Sequence, residues 1–247
     1  MKNSVLIIVL LFLSGSPGVL LGGEGMRSTK VGDFRIQYER GISLHNAKLF
    51  GETLGAAVTE MKKMLEVTIT GKVDVLMYTS VNRFKRESQT RIFDDGDWNG
   101  GKIYYVLASG RVQEEKMQAV ARRLAARLVL SHTPGCPPWF AEAYSLSVGG
   151  DLERFGKPAR SMTSSFSDLG EDYVSAERPK DALELYAKLA STIEFFDIHF
   201  GKSRVEDALK GFKTSENIHD VFQSAFQEKF EEIEKDWVKA LRSEARQ

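Results

Sequence analysis

"ARRLAARLVLSHTPGCPPWFAEAYSL", residues 121–146, is the stretch on which the reading of the fold turns. Over 113–130 the apolar residues Val120, Leu124 and Leu128 recur at helical spacing, which predicts one long amphipathic helix. A Pro-rich turn at 134–138 breaks it. A second helix is expected over 138–148, with Trp139 and Glu142 in its first turns. Two helices joined by a tight turn, each with an apolar face, need a further layer to pack against.

Upstream, that layer reads as a sheet. Residues 33–40 alternate Phe34, Ile36 and Tyr38 with polar residues, as a half-buried strand does. Residues 43–65 carry Leu44, Ala47, Phe50, Leu54, Val58, Met61 and Leu65 at helical spacing, with Ser43 as N-cap. A second strand is expected over 73–80, and a short helix over 81–89 capped by Ser80. Residues 92–101 ("IFDDGDWNGG") form a turn cluster, and 102–108 ("KIYYVLA") a third strand. Downstream, 151–179 reads as a long polar loop. Helices follow over 181–200, 205–212, 218–226 and 230–241, with Gly201 as a C-cap. The phenylalanines of this tail sit at core spacing. The class is α+β: a sheet-containing part over about 32–110 and a helical part over about 111–247.

The N-terminus reads as lying outside this domain. Lys2, an apolar run over 5–13, Pro17 with Gly and Ser neighbours, and the Gly23/Gly25 pair have the layout of a secretory signal, so residues 1–25 are expected to be removed and 26–247 to form the mature domain. An uncleaved anchor is the other reading; Pro17 interrupts the span it would need. No Cys lies near, which argues against a lipid anchor. Cys136 is alone, so no internal disulfide forms, and with no third partner beside His132 it is read as structural. Lys plus Arg and Asp plus Glu each number 34. A net charge of zero gives no bulk attraction to nucleic acid or to an anionic membrane.

The order of elements, together with "PPWFAEA" (137–143), resembles the peptidase-MA-like group of gluzincin zinc metallopeptidases. There the site helix carries H-E-x-x-H and the next helix opens with P-x-W-x-x-E-G. The resemblance covers roughly 32–241 as a pattern and implies a gluzincin-like fold with a substrate cleft. Laid onto this chain, the first His falls at Arg122, the Glu at Arg123 and the second His at Ala126; only the third ligand is present, as Glu142, and Ala143 replaces the Gly after it. Arg has no lone pair for a metal and Ala has no donor, whereas a catalytic zinc needs three protein ligands. Arg123 cannot act as a general base. His45, His132, His199 and His219 have no ligand spacing. The expectation is therefore no catalytic residue, no metal and no cofactor.

Two readings of the vacated site stand. In one, an Arg122–Glu142 ion pair replaces the metal and ties the helices together. In the other, Arg122, Arg123 and Arg127 line a solvated face. Trp139, Tyr186 and the Tyr104–Tyr105 pair are candidate cleft residues. The family resemblance makes "KIYYVLA" the edge strand along the cleft, able to pair with an extended peptide, and it puts a Tyr near the metal where Tyr186 falls; helical spacing also makes Tyr186 a core residue. "DGDWNG" (95–100) matches the first half of a calcium loop, but Val106 stands where its Glu should be, and the composition suits a turn. The expected function is that of an exported, non-catalytic module holding a peptide or protein in the old cleft, with an active hydrolase using a relocated or metal-free site as the alternative. Oligomeric state is not encoded in any motif.

Overall fold

The computed structural model describes residues 25–90, 95–107, 113–150, 152, 165–175 and 179–244. Its architecture is α+β, a small mixed sheet followed by a mostly helical half. The strands are β1 (Met26–Val31), β2 (Phe34–Glu39), β3 (Val73–Tyr78), β4 (Gly96–Asn99) and β5 (Lys102–Val106), in the spatial order β1-β2-β3-β5-β4. The central pairs β2–β3 and β3–β5 are parallel; the outer pairs β1–β2 and β5–β4 are antiparallel hairpins. Helix α1 (Leu44–Leu65) crosses from β2 to β3, and α2 (Val81–Ser88) lies between β3 and β4. Ser43 and Ser80 cap them as expected, accepting from the N–H groups of Asn46 and Arg83 at 3.1 and 3.3 Å.

Alternation decides which layer each strand residue joins. Phe34, Ile36 and Tyr38 of β2, Val73, Val75 and Met77 of β3, and Ile103 and Tyr105 of β5 face the main core. There Phe50 of α1 stacks on Tyr105, ring centroids 4.8 Å apart. The opposite face is smaller: Tyr78, Tyr104 and Val106 pack beneath Phe84 of α2. Gly51 lets α1 approach the sheet, because a Cβ there would stand 2.4 Å from Ile36 Cδ1.

The helical half comprises α3 (Glu114–Leu130), α4 (Pro138–Gly149), α5 (Phe166–Ser175), α6 (Pro179–His199), α7 (Lys202–Gly211), α8 (Ile218–Phe226) and α9 (Phe230–Glu244). Helix α3 packs on α1 and then on α4, which packs on α6, so the core runs unbroken from sheet to tail. Stacked rings hold the tail together: Phe166 lies on Trp139, Phe196 and Trp237, with centroids 5.2, 5.9 and 4.9 Å away. Gly201, expected as a C-cap, stands just past α6 at φ 82° and ψ 152°, a positive-φ conformation outside the αL region of a C-cap glycine, and serves as the N-cap of α7.

Four expectations need correction. The sheet begins at Met26, before the start near 32, because the polar "MRSTKV" pairs through its backbone with β2. The cluster 92–101 is not all turn: Gly96–Asn99 is strand β4, and Gly100 and Gly101, both at positive φ, make the turn to β5, while residues 92–94 fall outside the described residues. Strand β5 is therefore interior, and β4 is the edge. The loop 151–179 contains α5, and much of the remainder falls outside the described residues. Of the expected signal segment 1–25, residues 1–24 also lie outside them. Among the described residues no helix is long and apolar enough to cross a membrane.

A polar network closes the end of the sheet beside α2. Glu39 accepts from the N–H and hydroxyl of Thr79 at 2.7 and 2.5 Å and from Arg83 at 3.0 Å. Arg83 also donates to Glu87 at 2.9 Å, and Glu87 accepts from the Tyr78 hydroxyl at 3.0 Å. Burial pushes the Glu39 pKa up, but the Thr79 bonds and the Arg83 charge outweigh it and hold the carboxyl below its ordinary value of 4.5. A carboxyl depressed on folding stabilises the folded state above that ordinary value, and the contribution fades as pH falls through the folded-state value. Glu39→Gln is expected to cost about 1 kcal/mol in denaturant melts at pH 7, with the deficit shrinking toward zero as pH falls below 4.

Candidate functional site

The turn between α3 and α4 brings the end of one helix against the start of the next. Pro138 opens α4, with no N–H to leave unsatisfied there. Between these helices and the sheet edge lies a cleft of about 620 Å³. Its floor is Arg127 of α3 and Glu142 of α4; its walls come from β4, from the turn at Thr133 to Cys136, from Tyr173 and Val174 of α5, and from Tyr186 of α6.

The floor is one bidentate ion pair. Arg127 Nε donates to Glu142 Oε2 at 2.8 Å, and Nη2 donates to Glu142 Oε1. The remaining donors reach further: Nη1 to the Gly96 carbonyl at 2.9 Å, and Nη2 to the Tyr186 hydroxyl at 3.3 Å. One guanidinium thus links α3, α4, α6 and β4. The side chains are 13% and 3% exposed, so the pair lies where charge–charge attraction is weakly screened and where an unpaired member would be costly. Ser145 donates its hydroxyl to the Glu142 carbonyl at 2.7 Å, bracing α4 one turn on. Burial, and then the Glu142 carboxylate, raise the Tyr173 hydroxyl above its ordinary pKa, so it stays a neutral donor.

This overturns both readings of the arginines. Glu142 is paired, but with Arg127; Arg122 is half-buried and makes no contact with it. Nor do the three arginines line a solvated face, since Arg123 is fully buried and Arg127 nearly so. The signal was present in the spacing. Of residues 122, 123 and 127, only 123 and 127 stand four apart and share a helix face. Ala126 is buried among apolar neighbours.

Of the candidate cleft residues, Tyr186 lines the cleft. Trp139 does not: it is buried between Phe140 and Phe166 and fastens α5 to α4. Tyr105 is in the main core and Tyr104 beneath α2. Sequence reasoning missed Trp98 on β4 and Tyr173 and Val174 on α5, because both elements were read as irregular. Cys136 lines the cleft, half-buried, its thiol pushed up to about 12 by burial. A thiol so raised is protonated at neutral pH and a poor nucleophile.

The donor set does not fit zinc. Among the described residues the carboxylates lining the cleft are Asp97 on β4 and Glu142, and both oxygens of Glu142 are engaged by Arg127. Among the described residues no group of three His, Cys, Asp or Glu side chains converges as a metal site needs. Each described histidine is engaged separately: His45 with Glu114, His132 with the Leu128 carbonyl, His199 with the Phe195 carbonyl and His219 with Glu231. What the cleft offers instead is hydrogen bonding and aromatic surface around a neutralised floor.

Arg127→Lys keeps the charge but loses the planar fork, and is expected to cost about 1–3 kcal/mol in urea unfolding. Arg122→Lys is expected to stay within about 0.5 kcal/mol of the parent. Equal costs for the two would assign the floor to the wrong arginine.

Compared with known proteins, the chain matches no family model and no curated protein.

Proposed function

We propose that this chain is an exported, non-catalytic relative of the gluzincin zinc metallopeptidases, whose cleft holds an extended peptide or a protein segment. The observation that carries this reading is the bidentate Arg127–Glu142 pair on the cleft floor. With Glu142 in the place of the third zinc ligand, its partner Arg127 takes the place of the second histidine. The H-E-x-x-H frame then falls on Arg123, Leu124 and Arg127, one residue further along than the sequence pattern suggested. Arg123 and Arg127 supply no lone pair, and Leu124 supplies no general base. The cation that joins the two helices is then a guanidinium rather than a metal ion.

Non-covalent recognition is the chemistry left. The cleft is of a size that takes a few residues of chain, and an edge strand runs along it. Tyr173, Tyr186 and Trp98 supply amphipathic contact surface. Export rests on the charged start, apolar run and small-residue pair of residues 1–25; strand β1 begins at Met26, immediately after the expected cleavage point.

Equilibrium dialysis of the mature chain against zinc, with a fluorogenic peptide pool assayed in parallel, tests this. Expected is no stoichiometric zinc and no cleavage, while the triple substitution Arg123→His, Leu124→Glu, Arg127→His takes up one zinc per chain. Stoichiometric zinc in the parent, or chelator-sensitive cleavage by it, would establish the hydrolase reading instead.

A further inference from the structure

The pairing pattern of β4 determines which of its backbone groups a ligand can reach. Asp95 accepts from Val106 N–H at 2.8 Å, so Asp95 and Val106 form a hydrogen-bonded pair in the antiparallel ladder. In such a ladder the direction alternates residue by residue. With Asp97 opposite Tyr104 and Asn99 opposite Lys102, these residues also turn their N–H and C=O toward β5. Gly96 and Trp98 turn theirs the other way, toward the open edge beside the cleft. Those two residues are the template on which an added strand would pair.

They are not equivalent. The Gly96 carbonyl is already the acceptor for Arg127 Nη1. The backbone N–H and C=O of Trp98 have no partner among the described residues. Gly96 also has no freedom to move off the arginine, because β4 is packed hard on α3 there: a Cβ on Gly96 would lie 2.7 Å from Leu124 Cδ1 and 2.9 Å from Val120 Cγ1. The same side chain that neutralises Glu142 therefore occupies one lone pair of the Gly96 carbonyl and sets a positive charge beside it on the sheet edge.

We propose that Arg127 sets the register and the sequence preference of the bound peptide: the peptide pairs antiparallel to β4 through a single residue opposite Trp98, and the residue two further along, opposite Gly96, is one without an N–H to place, a proline. An antiparallel partner exchanges both bonds of Trp98 with one ligand residue, whereas a parallel partner would divide them between two. The next outward pair in the ladder is Gly96 with the residue two along. That residue's N–H would have to share the Gly96 oxygen with a guanidinium N–H, setting the positive end of the amide dipole against a fixed cation. Proline removes the donor and favours the extended backbone that strand pairing needs. Its carbonyl can still accept from Gly96 N–H.

This inference rests on the cleft being a peptide site, and the experiment separates the two. The probe is a set of C-terminally amidated hexapeptides built on alternating Val and Ala, each carrying fluorescein on its N-terminus through a flexible spacer, with proline scanned through each position. Binding is read by anisotropy against the mature chain. The parent is expected to tolerate proline at one position and to lose tenfold or more at the position two residues N-terminal to it. In Arg127→Leu, which frees the Gly96 carbonyl, proline at the tolerated position is expected to become at least threefold worse than alanine. Should that variant not fold, ester-for-amide replacement in the peptide answers with the parent chain alone: deleting the N–H opposite Gly96 is neutral, and deleting the one opposite Trp98 costs tenfold. A flat proline and ester profile in peptides that do bind overturns the register proposal. No binding by any hexapeptide overturns the peptide-site reading itself, and this proposal with it.

Discussion

One guanidinium organises the middle of this protein. Arg127 grips both oxygens of Glu142 and still reaches the Gly96 carbonyl and the Tyr186 hydroxyl. A fork of donors in a fixed plane suits that task, since Nε and Nη2 grip the carboxylate together while Nη1 reaches β4 and Nη2 also reaches α6. Lysine, a point charge on a flexible stem with its three donors on one nitrogen, could not grip both carboxylate oxygens side by side and still reach β4 and α6. Because Arg does not deprotonate in proteins, the cationic half of the link does not depend on pH. The pair is also nearly dry, and a buried carboxylate that lost its partner could not fall back on water.

The rest of the fold serves to bring these groups together. Strand β4 approaches α3 closely only because Gly96 has no side chain to meet Leu124 and Val120. Helix α4 is placed by its Pro-rich entry and by Trp139, whose ring is held between Phe140 and Phe166. The aromatic stack on Phe166 carries α5 into position, so that Tyr173 and Val174 close one side of the cleft. Trp139 thus supports the cleft from behind without lining it. The α2 network at Glu39 and Arg83 performs a comparable service at the C-terminal ends of β2 and β3.

Much of this was legible in the sequence, and the failures have physical reasons. Helices with a wide apolar face and a good cap, such as α1 behind Ser43, were readable because burial and capping agree. Strands β2 and β3 were readable from alternation. Strand β1 was not, because as an outer strand it needs only backbone pairing and its residues are mostly polar. Strand β4 was hidden by the Asp, Asn and Gly residues that its hairpin turn demands, so the edge of the sheet was assigned to β5. Helix α5 was obscured by a polar surface. At the site, Glu142 was recognisable from the Pro-Trp-x-x-Glu spacing, but choosing its partner required the helix phase. Residues 122 and 127 differ by five positions and face different sides. Charge alone suggested an arginine, and only geometry distinguishes which one.

The most direct measurement of the Arg127–Glu142 link is its coupling energy from a double-mutant cycle. Urea unfolding free energies would be compared for the parent, Arg127→Met, Glu142→Leu and the double variant. If the pair is the buried tie between α3 and α4, each single variant loses about 3 kcal/mol or more, and the double variant recovers much of the loss because no charge is stranded. Single losses that simply add in the double variant, leaving a coupling near zero, would contradict it.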